Sequence, residues 1–296
     1  MSQASRSRRA RATLLLLWAG SVAGGRGVAV VTGGTGGIGL ATARLLAARG
    51  SDLVLAYGAD DARAAAAAEE LQSAHGVRVV TVGGDLTTDA GRETTVASVF
   101  AAVDGELDGR VASFVHAAGF FHEGLLSTHL DGSMQDAFTM YDEYQSIYPK
   151  ALVAFAEECI PRMADGEGRI VAVSNPGCNT MQIPRVNYDM PGQAKATMEW
   201  LVRMYALRLA GRGLCVNAVS PGYTDTKEWD KARLGMGRGD MEVGRKLLDE
   251  KMLSRSPMRR WADASEIAQT IAYLAAEQTG LITGAFIPVD GGLHLT

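Results

Sequence analysis

The chain reads as a single doubly wound α/β domain on a parallel seven-stranded sheet, and three observations carry that reading. Short unbroken apolar runs recur along the chain, helical stretches separate them, and a cluster of glycines stands between the first run and the first helix. Apolar runs without alternation suit strands covered on both faces, the condition of a parallel sheet flanked by helices. Of 296 residues, 47% are apolar and 35 are glycine, which allows one large core with many tight turns.

The elements follow in order. Residues 1–26 include "SRSRRARATLLLLWAGSVAGG", with a basic stretch, an apolar run from Thr13 to Trp18 and small residues near Ala23. They read as a flexible N-terminal extension or as a targeting-like segment, and the apolar run is too short to span a bilayer. The Rossmann-type α/β domain then occupies 27–296. Its strands are expected at "GVAVVTGG", "SDLVLAYG", "VRVVTVGGD", "RVASFVHAAG", "GRIVAVSN", "LCVNAVSPG" and "GAFIPVDGG". Helices are expected up to Arg49, around Ala62 to His75, before Met163, from about Pro191 to Ala210, and near Asp263 to Ala276. Residues 224–257 interrupt the alternation with charge, glycine and a flexible "LGMGRGD" centre. An excursion after the "SPG" strand lies where ligands bind in this architecture, so it reads as a substrate lid or as a solvated surface excursion.

Bulk charge excludes some classes. The balance of 29 basic and 33 acidic residues, net −4, offers no cationic block to nucleic acid, and no membrane partner is expected. Cys159, Cys178 and Cys215 are far apart and odd in number, which suits free thiols in a cytoplasmic protein. Five histidines without ligand spacing give no metal site.

The glycine cluster of "VAVVTGGTGGIGLATARLLAARG" fits both G-x-G-x-x-G and G-x-x-x-G-x-G through Gly33, Gly34, Gly36, Gly37 and Gly39. In a strand–loop–helix setting such glycines admit a pyrophosphate to the backbone, and the helix amino terminus supplies N–H donors. The second strand ends in Tyr57 and Gly58 rather than in a carboxylate, with Asp60, Asp61 and Arg63 beyond. A missing acid at that tip favours NADPH, with NADH still open.

The series "TGGTGGIG", "GDL" at Asp85, "HAAG" at His116 to Gly119, "IVAVSN", Lys195, "VNAVSPGYTDT" and a final "VDGG" resembles the short-chain dehydrogenase/reductase family, across Gly27 to Thr296. The resemblance implies a Rossmann-type fold, a homo-oligomer, and a cofactor site of Gly33, Thr35, Gly37, Ile38, Gly39, Asp85, Leu86, Ala117, Gly119, Lys195, Pro221, Gly222 and Thr224. Within it Asp85 would bind the adenine, Lys195 the nicotinamide ribose and Thr224 the carboxamide. The family's usual catalytic pattern is altered: Pro191 stands where the tyrosine four residues before Lys195 would be, Asn175 replaces the serine, and Tyr148 replaces the helix asparagine.

"NYDMPGQAKATMEW" instead resembles the Tyr-x6-Lys pattern of the enoyl-thioester reductases, pairing Tyr188 with Lys195. Seven residues are two helical turns, and Pro191 suits a first turn, which puts Tyr188 at or just before the helix start. Hydride addition to the beta carbon of an enoyl thioester builds charge on the thioester oxygen, which a phenol backed by an ammonium would stabilise. Tyr188, Lys195 and Asn175 are the catalytic candidates, and Phe120, Phe121, His122 and Tyr148 the substrate candidates. The expected substrate is a small-molecule or carrier-bound acyl group. A ketoreductase and a non-catalytic NADP(H)-binding sensor stay open, as do packing roles for Tyr188 and Tyr148.

Overall fold

A computed structural model describes residues 27–119, 134–178, 183 and 188–296. The N-terminal segment 1–26 and the substrate candidates Phe120, Phe121 and His122 lie outside the described residues. The chain runs β1 (Val28–Thr32), α1 (Gly37–Ala48), β2 (Asp52–Tyr57), α2 (Asp61–His75), β3 (Val79–Gly83), α3 (Asp89–Glu106), β4 (Val111–His116), α4 (Met134–Gln145). A π-helical turn (Ser146–Lys150) leads into α5 (Ala151–Cys159), then β5 (Arg169–Val173), α6 (Asp189–Leu209), β6 (Cys215–Pro221), α7 (Asp230–Met236), α8 (Met241–Leu253), α9 (Ala264–Leu274) and β7 (Phe286–Val289).

All seven strands form one sheet in the order β3-β2-β1-β4-β5-β6-β7, every neighbouring pair parallel. The strand order turns back at β1, which pairs with both β2 and β4. A crevice therefore opens beyond the carboxyl ends of β1 and β4, the place where sheets of this kind bind ligands.

The unbroken apolar runs have a direct cause. Val28 and Val30 enter one core with Phe100 of α3, Phe155 of α5 and Met198 of α6, while Ala29 and Val31 enter another with Leu46 of α1, Leu71 of α2 and Ile271 of α9. Successive side chains leave opposite faces of a strand, so a sheet covered on both sides needs apolar residues at every position. Helix starts are fixed locally: Asp60 accepts from Arg63 N at 2.9 Å, Thr88 from Gly91 N at 3.1 Å, and Asp263 with Glu266 forms a reciprocal capping box on α9.

The 224–257 excursion is a helical hairpin with a small core of Ala232, Leu248 and Met252, covered by Tyr223, Trp229 and Trp261. Within "LGMGRGD", where a flexible centre is expected, Gly237 is buried at a tight corner, while Gly235 and Gly239 stand in open space. A Cβ on Gly237 would lie 1.8 Å from Asp240 O, and one on Gly244 would lie 1.7 Å from Arg233 O. These glycines let α7 and α8 touch backbone to backbone, and Arg233, buried beside Asp225 and Asp230, fastens the hairpin's base.

Candidate active site

At the end of β1, Gly33 takes φ +67°, and a Cβ there would lie 2.7 Å from Ala117 O. A Cβ on Gly39 would meet Gly33 O at 2.1 Å, so the loop closes on the helix only with glycine at both ends. Gly36 caps α1 without any side chain, Thr35 is buried, and Ile38 packs against the core beneath. The amino end of α1 thus presents bare backbone, which fits a dinucleotide pyrophosphate.

Other expected cofactor residues gather along the same edge. Ala117 N donates to Thr32 O at 3.1 Å, and Gly222 N donates to Val289 O at 3.0 Å beyond the β6 end at Pro221. Thr224 Oγ1 donates to Gly222 O at 3.0 Å. Asp85 Oδ1 accepts from Thr87 N at 2.8 Å and Thr87 Oγ1 at 2.7 Å, holding the loop after β3, while the Leu86 carbonyl accepts from Ser146 Oγ at 2.8 Å. At the β2 tip, Tyr57 Oη donates to Asp61 Oδ1 at 2.8 Å and Asp60 caps its own helix. Both acids are thereby turned towards α2.

The candidate catalytic end is built on β4, β5 and the start of α6. His116 is buried between Thr32 Oγ1 at 2.7 Å from Nδ1 and Ile147 O at 3.0 Å from Nε2, and burial pushes its imidazole down to about 3, so it is neutral. It ties the end of β4 to the π-helical turn. Lys195 is 5% exposed and its Nζ donates to Val173 O at 2.6 Å. Burial lowers it to about 8, against the opposing fields of Cys178 and Glu199. One turn further along α6, Glu199 accepts from Ser174 Oγ, so two side chains of the helix grip consecutive residues at the end of β5.

Tyr188 is the N-cap residue of α6, and Pro191 is buried in the first turn. The helix starts at Asp189, two residues before the expected Pro191, because a first-turn proline needs no N–H partner of its own. Tyr188 is half-buried with its phenol oxygen inside, and burial, then Tyr148, Cys178 and Tyr144, hold that phenol well above its ordinary range. It is a donor at neutral pH. Tyr148, expected at the substrate, is instead 4% exposed: its ring faces Lys195 Nζ at 4.0 Å and stacks on Tyr144 with centroids 5.8 Å apart. Its hydroxyl also lies beside Gly119, where an added Cβ would come within 3.3 Å. Asn175 is half-buried in the loop after β5, near the buried Cys178 thiol, which burial pushes up to about 12.

The structure therefore joins Lys195 and Tyr148 in a buried contact, brings the half-buried Tyr188 beside Tyr148, and sets Asn175 near Cys178 at the border. Sequence reasoning passed over Thr226, whose methyl would be 2.5 Å from a Cβ on Gly37, and which therefore closes over the glycine loop. It also passed over Ser174, Glu199 and Cys178. The one signal for Glu199 was its place four residues after Lys195, on the same helix face.

Comparison with known proteins identifies the family. Residues 33–294 match the family described as Enoyl-(Acyl carrier protein) reductase. The chain is 32% identical over 270 residues to 1-cyclohexenylcarbonyl-CoA reductase of Streptomyces collinus, covering 91% of this chain and 88% of that one. It is 28% identical over 268 residues to a 3-oxoacyl-(acyl-carrier-protein) reductase of Aquifex aeolicus, covering 90% and 96%. The crystal structure of L-sorbose reductase from Gluconobacter frateurii, complexed with NADPH and L-sorbose, superposes with a TM-score of 0.77 at 26% identity, over 92% of this chain and 97% of that one. On its motifs, its sheet order and these matches, the chain belongs to the short-chain dehydrogenase/reductase family.

Proposed function

We propose that the protein is an NADPH-dependent reductase of enoyl thioesters, with the acyl group on coenzyme A or a carrier protein. The observation that carries this is the α6 start: Pro191 fills the place four residues before Lys195 and has no proton to give, while Tyr188 stands at the N-cap with its phenol beside Tyr148, the ring that faces Lys195. Bound NADPH would supply the hydride to the beta carbon. The Tyr188 phenol would donate to the thioester oxygen as charge develops there, and the Lys195 ammonium would add a field of the right sign. Asn175, at the border of the cluster, would hold the carbonyl by its amide.

Binding of the cofactor would use the bare helix end at Gly37, Ile38 and Gly39, with Gly33 and Thr35 shaping the loop. Asp85 and Leu86 would flank the adenine, Ala117 and Gly119 the ribose, and Pro221, Gly222 and Thr224 the carboxamide, with Thr226 over the pyrophosphate. Preference for NADPH is supported by the β2 tip, where Asp60 and Asp61 are engaged with Arg63 N and Tyr57 and Arg63 stands within 3.6 Å of Asp60. The sorbose reductase complex with NADPH supports the same choice. The 224–257 hairpin would cover the bound acyl group.

A 3-oxoacyl reductase among the relatives favours a second reading, ketoreduction with Tyr188 as the acid. Following NADPH oxidation with crotonyl-CoA and acetoacetyl-CoA separates the two. Turnover of crotonyl-CoA that falls about 10²-fold in kcat for Tyr188→Phe, with cofactor affinity unchanged, supports the enoyl reading. Turnover of the ketone alone, or a Tyr188→Phe enzyme of full activity, defeats it.

Self-association belongs to the same proposal. Among the described residues no helix is long and apolar enough to cross a membrane. Yet Trp200, Met204 and Leu207 line one stripe of α6, with Leu207 75% exposed, and Phe138 and Tyr141 are exposed on the adjoining α4. A second copy of the chain would cover this face. Sedimentation velocity at micromolar concentration should show a dimer or larger; a monomer there, unchanged by Leu207→Glu, rejects it.

A further inference from the structure

We propose that the ring face of Tyr148 is the cation–π partner that keeps Lys195 an ammonium ion, which makes Tyr148 a positioning residue for the Tyr188–Lys195 pair; this rests on the reductase reading above. A buried ammonium needs partners for its charge. Lys195 has the Val173 carbonyl at 2.6 Å and the Tyr148 ring centroid at 4.0 Å, well inside the range where an aromatic quadrupole attracts a desolvated cation. Glu199 also favours the charged form, but its Oε1 is engaged by Ser174 Oγ.

The ring is held for this role. Tyr148 lies in the π-helical turn, where Pro149 removes one backbone donor and the helix register widens. The turn is pinned on both sides of it, by Ser146 Oγ on the Leu86 carbonyl at 2.8 Å and by His116 Nε2 at 3.0 Å from the Ile147 carbonyl. Tyr144 stacks on the ring at an interplanar angle of 15°. An aromatic face stabilises a charge but passes no proton, so Tyr148 would act on Lys195 by its field alone. That suits stabilisation of a developing enolate, which needs charge compensation beside the phenol.

The groups that face Lys195 are Glu199 of α6, Cys178 beyond β5, His116 at the end of β4 and the Tyr148 ring, with Tyr188 and Tyr144 on the far side of that contact, beside Tyr148. The test follows the Lys195 titration directly, by NMR of the 13C-labelled lysine ε-carbon in the full chain without cofactor, assigned with Lys195→Arg. Tyr148→Phe keeps the ring face and should leave the midpoint in place. Tyr148→Leu, and pentafluorophenylalanine installed at position 148, should lower it by about one pH unit. A pentafluoro variant that titrates like Tyr148→Phe overturns the proposal, as does a Tyr148→Phe variant that falls as far as Tyr148→Leu. If Tyr148→Leu does not fold, the two rings of equal shape decide alone. The titration needs no turnover, so failure of the enoyl reading in the crotonyl-CoA assay is scored separately.

Discussion

The glycine loop after β1 and the β5–α6 corner lie at the same edge of one sheet, yet they are built by opposite means. The loop is defined by backbone: Gly33 at φ +67° and Gly39 with no room for a Cβ leave a bare helix end for phosphate. The corner is defined by buried side chains: Lys195 on Val173 O, Glu199 on Ser174, and the Tyr148 ring on Lys195. Backbone sites tolerate no side chain and so keep a fixed glycine spacing. Side-chain sites can exchange or relocate their groups, as Pro191, Asn175 and Tyr148 show here against the family's usual pattern.

The largest expected effect breaks the backbone half of that comparison. Gly39→Ala forces a methyl to within 2.1 Å of Gly33 O, which only a shift of the loop can relieve. The expected cost is about 3 kcal/mol of stability together with a more than about 10²-fold weaker cofactor Kd, because the shift moves the N–H groups that would meet the pyrophosphate. Denaturant melts and cofactor titration read the two effects. Retained affinity would mean that the cradle is not the backbone site the glycines describe.

The same contrast explains how much was legible in the sequence. All seven strands and the glycine loop follow from local pattern: burial of β1 on both faces demands Val28 to Val31 without a break, and the turn demands Gly33. The long helix was displaced by only two residues at its start. Tyr148 was not legible in its actual role, since neither its position in a π-helical turn nor the direction of its ring follows from spacing, and only the fold brings it to Lys195. Thr226 was hidden for a similar reason: it meets Gly37 across 189 positions of chain, the difference of the two residue numbers. Gly237 was not legible as a packing residue because composition does not distinguish a hinge from a tight helix crossing.

The smaller effect sharpens the side-chain half, because Lys195 should cost stability while serving function. Its folded titration near 8 lies below the ordinary 10.5, so the unfolded chain binds this proton more strongly. At pH 7 both states are protonated and the penalty is fully present, about 3 kcal/mol by linkage. As pH rises from 8 to 10.5 the folded state has already released the proton, the unfolded state then follows, and the penalty is relieved. Lys195→Met removes this term and leaves the Val173 carbonyl without its ammonium donor, a loss of about 1–3 kcal/mol that does not depend on pH. The stability difference between the parent and Lys195→Met should therefore move in the parent's favour by about 3 kcal/mol between pH 8 and pH 10.5. Activity should run the other way, with kcat/KM of the parent falling above pH 8 as the ammonium is lost, and with Lys195→Met slower by about 10²-fold or more at pH 7. A stability difference that stays flat across this window would show that Lys195 is not held in the desolvated site the structure gives it, and the field it is said to lend Tyr188 would go with it.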